Sequence, residues 1–354
     1  MHNQPQSSSA SLFPTVSKEQ ENVEPNVSVV IPCYNEEGFI GEALSKLANQ
    51  YNHEHFEIIV VDGRSEDGTR KVVEEFKRRF PGLSVTLIDN PARNIPTALN
   101  LGAAAARGSI VARMDAHAAP SPGYIRRCVE VLRQENTGVV GMPCLVRPGA
   151  DTLMAQAIAA AVSHPFGIGD AKYRLSEGGP LQEAVDTVAF SCFRKALWQG
   201  LDGFNESLLT NEDYDFNYRV RLSGQQVILD RSGHCDYFAR STLKDLASQY
   251  ARYGFWKAHM LKLYPRSVRL RHLVAPAFIL SLVVLALSGL AWKPAWWLLL
   301  GEVVVYLLCA LGAGWQAAQK TEKGLMMTSL MPLVFMTIHL SWGLSFFHGL
   351  VRNR

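Results

Sequence analysis

Three apolar runs, at about 273–292, 295–315 and 325–347, close the chain, whereas the sequence ahead of Arg240 reads as soluble protein. A helical bilayer crossing needs roughly 20 apolar residues, so each run is long enough to span. This asymmetry constrains the fold most: a water-exposed domain at 26–239, then a membrane region at 273–354. A short turn at Lys293-Pro294 makes the first two runs a helical hairpin. Just before them, residues 240–272 hold eight Lys and Arg against one Asp. Leu243, Leu246, Tyr250, Tyr253 and Trp256 or Lys257 recur there at helical spacing. That pattern suits an amphipathic helix on an anionic membrane surface. Basic residues ahead of the first run put the preceding domain on the cytoplasmic side of the inner membrane, and Lys320 and Lys323 agree. Three crossings would leave Arg352 and Arg354 outside, against that trend. The third run, with Pro332, His339 and Gly343, is therefore either a span or a re-entrant segment. Glu302 and His339, ionisable groups inside the runs, are functional candidates, although Glu302 also suits an interface.

Composition narrows the partners. A net charge of +3 over 354 residues argues against nucleic acid. Six cysteines without a CxxC pair read as free thiols in a reducing compartment. Residues 1–25 are polar, lack a signal-peptide apolar core and predict a disordered tail.

From Val27 the pattern alternates strand and helix. VSVVIP (27–32), FEIIVVD (56–62), LSVTLID (83–89) and 109–114 read as strands, the first two as runs buried on both faces. Helical spacing runs through Phe39, Ile40, Leu44 and Leu47, and again over 69–80. Asn94 as cap and Pro96 in the first turn start a helix that ends near Arg107. Such alternation predicts a mostly parallel sheet covered on both faces, whose ligands bind beyond the carboxyl ends of the strands.

Polar residues gather at those ends. Asp115 and His117, just past the fourth strand, are two apart and on extended backbone point to one side. A carboxylate and an imidazole so placed can share a divalent cation that grips a diphosphate; a capping Asp and a surface His are the plainer alternative. Glu36 and Glu37 follow the first strand and would also complement a helix dipole. Asp62 ends the second strand, where it can accept from a uracil N3–H or a ribose hydroxyl, while Ser65 and Asp67 suit helix capping.

The ordered set IPCYNEE, VVDGRSEDGT, NPARNIPTALNLGAAAARGSIVARMDAH and NEDYDFNYRVR resembles the family 2 glycosyltransferases, over about residues 27–260. The resemblance implies an inverting, nucleotide-sugar-dependent hexosyltransferase with an α/β glycosyltransferase-A fold and a mostly parallel sheet. It implies that Pro32, Tyr34, Glu36, Asp62, Arg93 and Asp115 contact the nucleotide-sugar, and that Asp115 also binds the metal, Mg²⁺ or Mn²⁺. Where many members have Asp-x-Asp this chain has Asp115-Ala116-His117, which makes His117 the second ligand. DTVAFSCFRKALW (186–198) resembles the segment beneath the acceptor, with Phe190-Ser191-Cys192 along the donor-sugar pocket; the bare pattern is a buried strand and a helix. SHPFGIGDAKYR (163–174) reads as a loop, structural or substrate-binding.

In TNEDYDFNYRVRLSG (210–224) Asn211 can cap a helix whose first turn holds Glu212, Asp213 and Asp215, favourable electrostatics on their own. Inverting transfer also needs a carboxylate to take the acceptor's proton. The resemblance gives that role to Asp213 of the Glu212-Asp213 pair, well separated from Asp115. Gln249, Arg252 and Tyr253 resemble a QxxRW motif with Tyr for Trp, at the acceptor or leaving group.

With its C-terminal apolar runs the chain most resembles membrane-bound bacterial succinoglycan-type exopolysaccharide glucosyltransferases. The expected reaction moves glucose from UDP-glucose to a lipid-linked saccharide, with other polysaccharide-assembly proteins as partners. A polyprenyl-phosphate glycosyl synthase and a non-catalytic export component are the alternatives; Asp62, Asp115 and Asp213 argue against the latter.

Overall fold

The strands β1 (Val27–Cys33) and β2 (Phe56–Asp62) are buried at every position, as continuous apolar runs require when helices cover both faces of a sheet. The computed structural model describes residues 26–50, 56–175, 178–319 and 324–352. The tail expected over 1–25, together with Lys320, Lys323 and Arg354, lies outside them.

Helices α1 (Ile40–Ala48), α2 (Thr69–Arg79) and α3 (Ile95–Ala105) alternate with β1, β2, β3 (Ser84–Asp89) and β4 (Ile110–Arg113). These four strands are parallel and stand in the order β3-β2-β1-β4. Asn94 caps α3 as the sequence predicts, its Oδ1 accepting from Thr97 N at 2.9 Å. Gly102 lets α3 lie close on β1, since a Cβ there would collide with Val30.

After β5 (Ala118–Pro120) and α4 (Tyr124–Leu132) come β6 (Thr137–Gly141), β7 (Cys144–Arg147), α5 (Leu153–Ala161) and the single turn α6 (Pro165–Ile168). Then follow β8 (Gln182–Ala184), β9 (Cys192–Arg194), α7 (Lys195–Gly200), α8 (Glu212–Leu222), β10 (Gln226–Asp230) and β11 (Cys235–Phe238). The large sheet continues from β4 through β9, β6 and β10 to β8. Strand β9 is antiparallel to both its neighbours, so the sheet is mostly, not wholly, parallel. Strands β5, β11 and β7 make a second sheet.

The chain then enters α9 (Leu243–Leu263), α10 (Leu270–Ala291), α11 (Pro294–Ala318) and α12 (Gly324–Val351). The last three are each long and apolar enough to cross a membrane, as three runs at these places predict. Pro332 does not break α12, which is one continuous helix. Its packing explains why: α12 lies along α9 and also touches α5 and α6. Gly254 of α9 meets the Trp342 carbonyl and Gly349 of α12 meets the Phe255 carbonyl, and a Cβ at either place would collide. At the ends of the pair, Lys262 Nζ donates to Arg352 O at 3.2 Å. Helix α9 is thus covered on one face by α12, and its Tyr250, Trp256 and Lys257 turn inward, where a helix resting on a lipid surface alone would leave Lys257 in water.

Candidate active site

The loops after β1 and β2 are locked together. Asn35, with a left-handed φ of 54°, donates its backbone N–H to Ser65 Oγ at 2.9 Å, and its Oδ1 accepts from Glu66 N at 2.9 Å. Ser65 therefore clasps the two strand ends rather than capping α2, whose N-cap residue is Gly68. Asp67 instead accepts from Thr69 N at 3.0 Å. Glu37 accepts from Gly68 N at 2.9 Å and so serves the start of α2, which leaves Glu36 for other work.

Asp62 is fully buried, accepting from Ser65 N at 3.1 Å and from Arg70 Nη1 at 2.8 Å. Pro32 is buried within β1 beside Val61. Tyr34 is exposed, and the Arg93 guanidinium sits 5.6 Å from its ring centroid, tied to Glu66 at 3.2 Å. The structure thus brings Tyr34 and Arg93 together at the rim, with Asp62 set below them.

Beyond β4 the chain turns, so that Asp115 and His117 lie outside the strand. His117 Nδ1 stands 3.1 Å from Glu36 Oε1. Burial disfavours the charged imidazolium, but Glu36 and Asp115 outweigh it and leave the His117 pKa raised. Arg113, the last residue of β4, is buried; its Nε lies 3.4 Å from Asp115 Oδ1 and its Nη1 2.9 Å from Glu212 Oε1. Burial works against that guanidinium, yet Asp115, Glu212 and Asp213 raise its pKa overall. Burial pushes the Glu212 carboxyl up, with Arg113 opposing.

Asp115 and Glu212 share one guanidinium, which ties the Glu212-Asp213 pair to the end of β4. Sequence reasoning passed over Arg113, although a charge closing an otherwise apolar strand, two residues before an acid, was a usable signal. Asn211 does not cap α8. It has a left-handed φ of 68°, and its Nδ2 donates to Tyr253 O at 3.4 Å, tying α8 to α9 instead. Asp213 is half-buried and accepts from Tyr214 N at 2.7 Å, while Asp215 is closed off in a pair with Arg219 at 2.7 Å.

One cavity of about 1010 Å³ collects most of these groups: Arg93, Arg113, Asp115, His117, Glu212 and Asp213 all line it. Gln249, Arg252 and Tyr253 line it from α9. Gln249 is buried there, donating to Tyr237 Oη at 2.9 Å and Tyr253 Oη at 3.1 Å, and Arg252 is exposed. Phe190 lines it as expected, but Ser191 and Cys192 do not, because Cys192 already belongs to β9 in the core. Pro32, Tyr34, Glu36 and Asp62 are likewise not among its lining residues. The α6 loop forms another wall and is pinned to α12, since His339 Nε2 lies 2.9 Å from Phe166 O. Trp342 and His348 close the membrane end.

The chain is similar to known proteins along most of its length. A succinoglycan biosynthesis protein, ExoA of Rhizobium meliloti, is 26% identical over 92% of this chain and 95% of its own length. A dolichyl N-acetyl-alpha-D-glucosaminyl phosphate 3-beta-D-2,3-diacetamido-2,3-dideoxy-beta-D-glucuronosyltransferase of Methanococcus voltae is 23% identical over 92% of this chain and 98% of its own. Among solved structures, the mannosyltransferase PcManGT from Pyrobaculum calidifontis, in complex with GDP-Man and Mn²⁺, shares the fold with a TM-score of 0.60 at 21% identity, over 91% of this chain and 88% of that one. Residues 28–246, the stretch that builds the sheets and every strand-end acid described above, match the model of glycosyl transferase family 2, and the chain belongs to that family.

Proposed function

We propose that this glycosyltransferase moves a hexose, glucose from UDP-glucose, to a lipid-linked saccharide with inversion, in the assembly of an extracellular polysaccharide at the inner membrane. The observation that carries the reading is the single cavity running from Asp115 and His117, past Glu212 and Asp213, to Val274, Trp342 and His348 on the membrane helices. A soluble donor can enter at the strand ends while an acceptor held by lipid enters at the other end. The succinoglycan relative supports the polysaccharide role, and the basic residues Arg266 and Arg269 ahead of α10 support a cytoplasmic catalytic domain.

In this reading Tyr34 and Arg93 hold the nucleotide, with Pro32 and Asp62 shaping the loop beneath. Asp115 and His117 fit a divalent cation, Mg²⁺ or Mn²⁺: both line the cavity, and the Glu36 contact at Nδ1 leaves Nε2 for a metal. Such an ion, when bound, neutralises charge on the departing diphosphate. Asp213 takes the proton of the acceptor hydroxyl as its oxygen bonds to the anomeric carbon and the bond to the diphosphate breaks. Gln249, Arg252 and Tyr253 form the wall that the acceptor and leaving group pass.

The test is transfer by purified protein in detergent, with a panel of nucleotide-sugars and lipid-diphosphate saccharides. Labelled glucose from UDP-glucose should appear on a lipid-linked saccharide. Transfer only to a bare polyprenyl phosphate, or to no lipid at all, overturns the reading.

A further inference from the structure

The turn at 164–170 makes one wall of the cavity: Pro165, Phe166, Gly167, Ile168 and Gly169 all line it. A single helical turn does not hold itself, because it fixes several dihedral angles for one hydrogen bond. Among the described residues, its backbone-to-backbone hydrogen bonds close within the segment or onto the end of α5.

Support from outside comes from the three apolar helices. From α12, His339 Nε2 lies 2.9 Å from the Phe166 carbonyl oxygen. A carbonyl only accepts, so Nε2 carries a proton, which leaves Nδ1 to accept from the Tyr306 hydroxyl of α11 at 2.9 Å. The Phe166 ring packs 4.9 Å from that of Phe335 and 5.8 Å from that of Tyr306. From α10, Arg271 Nη1 donates to Asp170 Oδ1 at 2.7 Å, and Arg271 also pairs with Asp186. Gly169, with a left-handed φ of 64°, passes so close to Arg271 that a Cβ would collide with its side chain.

The wall's place and chemistry tell what it faces. His339 and Trp342, three apart on one face of α12, both line the cavity, and Trp342 Nε1 donates to His272 O of α10 at 3.3 Å. The wall thus stands where α10 and α12 meet, whereas Asp115 and His117 follow β4. Its five lining residues carry no charge to offer a diphosphate, but their backbone groups and apolar faces suit a saccharide at the head of a lipid.

We infer that His339 is a positioning residue for the acceptor: through Phe166, and with Arg271 holding Asp170, it sets the 164–170 wall against which the lipid-linked saccharide lies. This rests on the acceptor entering from the membrane end, as proposed above. The apolar helices then do more than anchor the enzyme, since the acceptor wall takes its shape from them.

The experiment compares transfer kinetics and UDP binding of the full chain in nanodiscs for wild type, His339→Phe and His339→Gln. Phenylalanine keeps a ring beside Phe335 but loses both hydrogen bonds, whereas the glutamine amide can still donate to the Phe166 carbonyl. His339→Phe should raise the KM for the acceptor about tenfold, the factor that one lost hydrogen bond to a closed-off carbonyl carries, with kcat within about threefold of wild type. His339→Gln should recover most of that KM, and UDP affinity should stay at the wild-type value in both. Asp170→Ala cuts the second tie at an exposed residue, so it should raise the same KM and keeps the test open if His339→Phe misfolds. An unchanged acceptor KM in His339→Phe and Asp170→Ala overturns the inference. So does a fall in kcat or UDP affinity as large as the rise in KM, or a glutamine variant no better than phenylalanine, since either marks general damage to the fold. If wild type uses an acceptor other than a lipid-linked saccharide, the proposed reaction falls, and the KM split for that acceptor still decides the role of His339.

Discussion

Arg113 Nη1 and Glu212 Oε1 stand 2.9 Å apart with both side chains almost closed to solvent. The pair joins the end of β4 to the start of α8, so Asp115 and the acids that open α8 are held by one group. In a chain whose two halves of the site come from distant segments, this contact sets their separation.

Arg113→Met should therefore be costly twice. It leaves Glu212 buried without a counter-charge, and removing one partner of a buried pair costs about 3–5 kcal/mol. Thermal unfolding in detergent should show a lower midpoint, and transfer should fall to background. Adding Glu212→Gln should recover part of the midpoint, because the second change removes the stranded charge. A single Arg113→Met variant as stable as wild type would show that the pair does not bind the two segments.

In the proposed reaction the acids differ in role, and two isosteric changes test that. Asp213→Asn removes the proton acceptor and should lower kcat by about 10²–10⁴ while UDP affinity holds. Asp115→Asn should weaken UDP binding in Mg²⁺ or Mn²⁺ and have little effect in EDTA. Near-normal turnover in Asp213→Asn would move the base to Glu212. Full activity of wild type in EDTA would remove the metal.

Much of this was legible in the sequence, for local reasons. β1 and β2 announce themselves as unbroken apolar runs, Asn94-Ile95-Pro96 as a helix start, and IPCYNEE with ARMDAH as strand ends bearing acids. What stayed hidden depends on partners far along the chain. Arg113 at the end of IVAR reads as a polar strand terminus until Glu212 is placed beside it. Ser65 and Asn211 have the right residue types for caps, but Asn35 and the Tyr253 carbonyl compete for them and win. Lys257 falls on a helical stripe with Tyr250 and Tyr253, and periodicity cannot tell that α12 and the cavity cover that stripe.

Packing also bears on how the apolar helices sit. Along α12, Phe335 lies against α6, 4.9 Å from the Phe166 ring, while Arg352 meets Lys262 of α9. Those points are about 25 Å apart along the helix, and α9, with Lys244, Arg252, Lys257 and Lys262, is not among the described helices apolar enough to cross a membrane. On this packing α12 is expected to run beneath the catalytic domain while α10 and α11 cross, with exposed Trp292, Trp296 and Trp297 expected at the far interface. That placement would keep Arg352 on the side of the other basic residues. A cysteine placed at Arg352 should react with an impermeant thiol reagent from the same side as one at Lys244. Labelling from opposite sides would make α12 a third span.

The buried Lys257 gives a pH signature. Burial pulls its ammonium down to about 7 from a normal 10.5, against the raising charges of Asp213, Asp186 and Asp215 and with Arg271 adding to the fall. Below pH 7 both folded and unfolded chains carry the proton, and the buried charge destabilises the fold in full. Between pH 7 and 10.5 the unfolded chain binds a proton that the folded one has lost, so stability rises with pH across that window. The rise is on the order of 5 kcal/mol by the free energy of one pKa unit, less whatever relaxation around the side chain recovers. Lys257→Met lacks this term, so the variant should be more stable than wild type at pH 7, and the gap should close by about pH 10. Thermal midpoints of both proteins in one detergent across pH 7–10 measure it, with every other titrating group common to the two curves. A gap that stays constant over that range would mean that Lys257 keeps its proton in the fold, and the titration assigned to it would be wrong.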